Sequence, residues 1–354
     1  MTLIWDATAT EIAVLLIAGF AGGAFGASIG ALPAFVVTGL FTMIGQAAPD
    51  GAPGITGELA FGPVFGPHVS FAGGVAAVAY AAKRGAMPDP GDGEYHPAKS
   101  IGYAHGTQWD ILAVGGVFGV LGVAIRRTSQ FTLTLPIDPP AMGVIGTAIA
   151  ARLVFGYPMI GKARGSNLLD MSPFESGTKR TATDGGETAT DGGQGYRLAT
   201  EPWLPHQYKW SGVAMLGLVA GIAGAFIGIT TGSATLAFGL SAASLLFLNL
   251  GVEKFPVTHH ITLPSSFIAI MVTTPTSATD ASIAGLGEPV ALLLGGVVGI
   301  IGAVLGEVVQ RIFYAHSDTH FDPPAGSIIM TTLSLGLLAL AGVIPGVANI
   351  PGTV

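Results

Sequence analysis

The chain has no cysteine and little charge: of its 354 residues only 10% are Asp, Glu, Lys or Arg. Without cysteine there are no disulfides and no thiolate metal sites. The shortage of charge says more, because a soluble domain carries roughly 25% charged residues. No Lys or Arg accompanies Asp6 and Glu11 near the start, so the basic n-region of a secretory signal peptide is absent. The net charge of −7 and the acidic loops leave no basic footprint for nucleic acid. No Gly-x-x-x-x-Gly-Lys-Ser/Thr phosphate loop occurs, since Ala163 follows the Gly156–Lys162 stretch that has the spacing, so no ATP engine is expected within the chain. No nucleophile–base arrangement and no metal-ligand spacing stand out, so neither an enzyme nor a cofactor is expected. Acidic, lysine-poor loops suggest a halophile.

What the chain has in abundance is apolar residues, 50% of the total, with a mean hydropathy of +0.64. They come in runs of about 20, long enough to cross a bilayer. Ten such segments are predicted, at roughly 11–31, 32–47, 59–82, 108–126 and 141–160, then 212–231, 233–250, 252–274, 289–311 and 326–345. The expected fold is all-α and polytopic: a first transmembrane repeat over 1–160, a polar linker over 161–208 and a second repeat over 209–354. The linker repeats Thr181-Ala182-Thr183-Asp184-Gly185-Gly186 as Thr188-Ala189-Thr190-Asp191-Gly192-Gly193. Such low complexity cannot bury a core, so a flexible segment is predicted.

The two halves say nearly the same thing. Gly115-Gly116-Val117-Phe118-Gly119 returns as Gly295-Gly296-Val297-Val298-Gly299, and Asp138-Pro139-Pro140-Ala141 as Asp322-Pro323-Pro324-Ala325. Gly22, Gly26 and Gly30 match Gly224, Gly228 and Gly232. Duplication in a glycine-rich apolar chain is the signature of a repeat-built membrane transporter. Five spans per half is an odd number, so the second half must enter the membrane from the opposite side. Charge bias agrees with that inversion. One side holds Lys83, Arg84, Lys99, Lys162, Arg164, Lys179, Arg180, Arg197, Lys209, Lys254 and Arg311, and the other only Arg126 and Arg127. This places both termini outside a multi-pass cell membrane and the linker in the cytoplasm.

Three constellations are candidate sites. Ser28, Gly30 and Pro33, with Thr230, Thr231, Gly232 and Ser233 as counterparts, follow the first glycine ladder. They can unwind a span and free backbone groups beside a cavity. His68 and Ser70 align with His260 and Thr262, followed by Ser265 and Ser266. Each histidine lies about nine residues into its segment, roughly 14 Å deep, near the midplane. An ionisable group there suits an anion or a proton relay, while the plain alternative is a neutral histidine bonded to a carbonyl freed by a nearby proline. Pro63, Pro67, Pro256 and Pro264 predict kinks or breaks around both. Thr273, Thr274 and Asp280 offer oxygens for ion coupling, or form a simple membrane-exit loop. Arg152 is expected to snorkel to the headgroups, Glu307 and Arg311 to pair, and the Asp-Pro-Pro motifs to cap helices.

Gly26-Ala27-Ser28-Ile29-Gly30-Ala31-Leu32-Pro33 resembles the Gly-x-x-x-Gly-x-x-Pro-Gly-like stretch of the large membrane subunit of tripartite tricarboxylate transporters. Thr273-Thr274-Pro275-Thr276, followed by Ala281 and Gly285, is similar to that family's Asn-Thr-Pro-Gly segment. Ala34, Thr235 and Thr273 depart from the pattern, and the chain is shorter. The resemblance implies uptake of small carboxylates with an accessory binding protein.

The reading is a secondary transporter or permease for a small solute, with an anion among the options, working by alternating access. An ion channel or a ligand-free membrane scaffold are the alternatives. The expected partners are the lipid bilayer and a small molecule or ion, with room for a second copy or an accessory transport subunit.

Overall fold

A computed structural model of the chain describes residues 8–48, 52, 54–88, 95–180 and 197–354. The duplicated Thr-Ala-Thr-Asp-Gly-Gly stretch lies outside them. The helices are α1 Ala9–Ile29, α2 Ala31–Ala47, α3 Ala72–Lys83, α4 Trp109–Arg127, α5 Pro139–Phe155, the single turn α6 Ser172–Glu175, α7 Trp210–Thr231, α8 Leu236–Asn249, α9 His259–Thr273, α10 Glu288–Val309 and α11 Pro323–Leu340. Among the described residues there is no strand, only an isolated bridge between Lys179 and Leu198.

Five helical stretches are long and apolar enough to cross a membrane: α1, α7, α11, and α4 and α10 with the π-helical turns that extend them to Thr132 and Ala315. The other apolar helices are shorter. The 14 residues of α8 reach about 21 Å, against a hydrocarbon core of ~30 Å.

Local chemistry sets the ends. Thr8 and Glu11 form a reciprocal capping box at the start of α1. Asp138 and Asp322 each accept a 2.8 Å bond from the alanine three residues on, as the motif predicts. Between α1 and α2 only Gly30 is non-helical, at φ +94°, a value a side chain resists. The segment expected over 59–82 is in fact broken. A π-helical turn over Ile55–Ala60 gives way to irregular backbone, and helix resumes with the π turn Pro67–Phe71. Gly62-Pro63 and Gly66-Pro67 supply the break. In the second half residues before His259 are likewise non-helical, whereas Pro264 is absorbed inside α9.

Packing within each half follows one plan. In the first, Gly19 and Gly23 of α1 meet Gly115 and Gly119 of α4; in the second, Gly217 and Gly221 of α7 meet Gly295 and Gly299 of α10. The backbones touch: a Cβ on Gly221 would lie 2.5 Å from the Gly295 carbonyl oxygen, and one on Gly217 would lie 2.7 Å from that of Gly299. Without a hydrophobic drive between helices in lipid, such close approach supplies the association energy. Gly22 and Gly26 turn to the backbone at Val64 and Ser70, and Gly224 and Gly228 to Thr262 and Ser266 of α9.

The halves meet through equivalent elements. Gly39 of α2 packs on Ala242 and Ala243 of α8, and Gly239 of α8 on Thr42 of α2. Phe35 and Phe238 meet edge to face at 5.8 Å. Helices α5 and α11 run antiparallel: the Asp138 N–H donates to Thr332 Oγ1 (2.9 Å), Gly336 lies on Pro136, and at the far end Arg152 reaches Thr319. Like thus meets like across the interface between the halves.

Two expectations change here. Arg152 does not snorkel but is 1% exposed. Its guanidinium bonds Thr319 Oγ1 (2.9 Å), Met159 O (2.5 Å) and Phe313 O (2.6 Å) and lies 4.9 Å from the Phe321 ring centroid. Five fixed donors find more partners among carbonyls here than at a headgroup. The flanks of the expected flexible linker, 161–180 and 197–208, pack on the second half. Arg311 pairs with Glu307 (2.5 Å), as its spacing predicts, and also holds Leu169 O and Tyr208 O. Arg180 and Arg197 both pair with Asp318.

Gly119→Ala and Gly299→Ala should each lower stability by about 1–3 kcal/mol through overpacking. Gly212→Ala, with open space around it, should be neutral or slightly stabilising. Thermal unfolding in detergent, followed by tryptophan fluorescence, measures all three.

Candidate functional site

A cavity of about 190 Å³ lies where the two halves meet. At ~30 Å³ per water in the liquid that is room for about six waters. Equivalent positions of the two halves face it in pairs: Phe71 and Leu263, Asp138 and Asp322, Ala141 and Ala325, Val144 and Ile328, with Phe35 and Phe238 beside them. Pro67 faces it opposite His259, the residue at the same place in the second half. The cavity therefore lies between the two halves. Its walls are mainly apolar, completed by Phe61, Ile101, Leu245 and Val257, and by Trp203 and Leu204 from the end of the linker.

The polar groups are few and specific. The aspartates precede α5 and α11, whose antiparallel overlap fixes their separation. Asp138 meets the tenth residue of α11, so Asp322 lies about 15 Å away along the helix axis. Each caps its helix through one oxygen. The second oxygen of Asp138 takes no hydrogen bond from a described residue, while that of Asp322 lies 3.4 Å from His320 Nε2.

His259 and His320 line the cavity, 5% and 2% exposed. His259 sits against Phe35 and Phe238 (4.8 and 5.7 Å between centroids), and His320 against Phe71 and Tyr314 (5.8 and 5.4 Å). The Nδ1 atoms of both are buried without a hydrogen-bond partner among the described residues. Lys99 closes the set. Its ammonium bonds Glu201 Oε2 at 2.5 Å and stands 4.5 Å from the Tyr314 centroid. Burial pulls the Lys99 pKa down to about 8, against the opposing pull of Glu201.

None of the residues predicted as substrate or ion sites lines this cavity, whereas Pro67 and the Asp-Pro-Pro motifs, predicted as a break and as caps, do. His68 and His260 occupy the first helical turn after each break. Each packs against the glycine helix of its own half: His68 against Gly122 and Gly143, His260 against Gly302 and Gly306. Ser70, Thr262, Ser265 and Ser266 are buried and spend their hydroxyls on carbonyls. Ser265 reaches Gly295 O (2.9 Å) and Ser266 reaches Gly224 O (2.8 Å), tying α9 to α10 and α7.

Ser28 donates to Gly106 O (2.8 Å), Gly30 lies against Gly102, and Pro33 sits in the first turn of α2. Thr230, Thr231 and Gly232 are exposed at the end of α7, and Ser233 accepts from Leu236 N (3.0 Å) to start α8. Thr273 and Thr274 bond carbonyls of their own helix, and Asp280 is exposed. The structure thus gathers the serines and threonines of α9 into helix contacts and leaves the others at helix ends.

What sequence reading missed was legible in part. The Asp-Pro-Pro motifs were seen as caps, and they are caps that also face a cavity. His259 and His320 had no counterparts in the first half, and that very asymmetry was the available signal.

Lys99 allows a pH test. Its folded pKa of about 8 lies below its unfolded value of ~10.4. Between these values the unfolded chain binds more protons, so stability should rise with pH. Wild type should gain stability from pH 8 to 10 relative to a Lys99→Met/Glu201→Gln variant, compared by thermal unfolding in detergent across that range.

No curated protein and no solved structure matches the chain. One family does match, over residues 4–353, under the description "Family of unknown function (DUF7973)". With almost its whole length aligned, the chain belongs to that family.

Proposed function

We propose that this protein is a secondary transporter of a small solute, built from two inverted five-segment repeats that alternate access to the central cavity. One observation carries the reading: several pairs of equivalent positions, one from each half, line the same cavity. Rocking one half against the other would open such a site to either side in turn. The inversion is supported by α5 and α11. Equivalent helices that pair antiparallel are related by an axis perpendicular to their length. If they cross the membrane, that axis lies in its plane.

Loop neighbours support the same arrangement. The α4–α5 connection lies against the chain end after α11, where a Cβ on Gly352 would lie 3.3 Å from the Thr134 methyl carbon. The α10–α11 connection instead lies with the α3–α4 connection, His320 N donating to Ala98 O at 3.2 Å. Equivalent connections thus sit among different neighbours, as inverted halves require. In this reading the linker side, with Glu201, Trp203 and Leu204, is the cytoplasmic face of the cavity.

Because the chain has no cysteine, single cysteines map topology cleanly. Ala86 and Ser277 occupy equivalent connections and are both exposed. An impermeant thiol reagent on intact cells should label Ser277→Cys and spare Ala86→Cys. Labelling of both or neither would make the halves parallel and remove the alternating-access scheme. Saturable uptake into proteoliposomes is the matching functional outcome; unsaturable ion conductance would make the protein a channel.

A further inference from the structure

The chemistry of the cavity narrows what it can hold. Helix N-termini usually attract anions because up to four backbone N–H groups are left without partners. Here those donors are gone. In α5 the first two helical residues are Pro139 and Pro140, which have no N–H. The third, Ala141, donates to Asp138, and the Asp138 N–H donates to Thr332. In α11, Pro323 and Pro324 repeat the loss and Ala325 donates to Asp322. The one ammonium on the wall, Lys99, is held by Glu201 at 2.5 Å.

What remains open is acceptor and aromatic surface. Asp138 keeps one oxygen that accepts nothing from a described residue, and Asp322 keeps one engaged among them only at 3.4 Å. Phe35, Phe71, Phe238 and Trp203 present ring surface in the same space. Independently, the buried Nδ1 atoms of His259 and His320 lack partners, and a buried polar atom without one costs free energy that a ligand can return.

We propose that the central cavity binds a small organic cation, an alkylammonium ion of roughly two to eight non-hydrogen atoms. Its charged end sits at an aspartate and its alkyl part among the phenylalanines. The size follows from the volume of about six waters. Carboxylate oxygens and ring faces are the partners such an ion needs, by charge-assisted hydrogen bonding and cation–π attraction. This assignment rests on the transport reading for its biological sense, but binding is measured separately from flux.

The test is titration calorimetry on the full-length protein in lipid nanodiscs. The probes are methylammonium through hexylammonium, with the carboxylates and alcohols of matching length. At least one alkylammonium ion should bind more tightly than its matching carboxylate and alcohol. Asp138→Asn or Asp322→Asn should weaken that binding about tenfold or more, the worth of a hydrogen bond to a charged group. Asparagine caps a helix as well as aspartate does, so these variants keep the fold and lose only charge.

Val144→Phe, which fills the cavity without touching a charge, should also abolish binding, and Glu253→Gln, at an exposed position, should not. The proposal is overturned if no alkylammonium ion binds, if carboxylates bind as tightly, or if both asparagine variants bind as wild type does. Flux separates the two readings. Binding as described without uptake into proteoliposomes would uphold the cation site and remove the transporter. Uptake of carboxylates in place of ammonium ions would uphold the transporter and remove the cation site.

Discussion

Direct backbone contact between glycines is the interaction on which the rest of this structure depends. In lipid, apolar side chains gain nothing by leaving the solvent, so helices hold together only where they can touch closely. Gly19, Gly23, Gly115 and Gly119 do this for the first half, and Gly217, Gly221, Gly295 and Gly299 for the second. Once these pairs are fixed, α3 and α9 have one groove each to fill. The small and hydroxylated residues of α9 fill theirs with every hydroxyl turned to a carbonyl. In a medium without water that is how polar side chains are tolerated.

The second constraint is the meeting of equivalent elements of the two halves at one cavity, so a motif that occurs twice in the chain occurs twice around it. The Asp-Pro-Pro motif illustrates the consequence. A helix N-terminus with two prolines and a capping carboxylate has no donor left to offer. Two of them at one cavity make it poor in donors and rich in acceptors. The halves then diverge where it matters chemically: His259 stands where the first half has Pro67, and His320 where it has Pro136. The duplicated frame is symmetric, while its polar equipment is not.

The buried charges belong to a different layer. Lys99 with Glu201, and Arg180 and Arg197 with Asp318, bind the flanks of the linker to the body, and Arg311, paired with Glu307 on its own helix, holds Leu169 O and Tyr208 O. Breaking a buried pair leaves an uncompensated charge, which costs several kcal/mol. These pairs therefore hold residues 161–180 and 197–208 in place, and with them Trp203 and Leu204 on the cavity wall.

By itself, the sequence determined that the protein is helical, that several helices are apolar enough to cross a membrane, that its motifs are duplicated, and which residues cap α5 and α11. Those features follow from hydropathy, period and local capping chemistry, all of which act over a few residues. Only the tertiary structure decided what the polar residues do. Histidines at His68 and His260 looked like paired site residues because they recur; folded, each lies against a glycine helix of its own half. His259, His320 and Lys99 looked incidental because they do not recur, yet the meeting of α5, α9 and α11 with the linker brings them to one cavity. The segments themselves break, at Gly62-Pro63 and Gly66-Pro67 and before His259, so both histidines stand at helix starts. Which side of a helix faces a cavity depends on contacts between residues more than a hundred positions apart, and no local pattern carries that information.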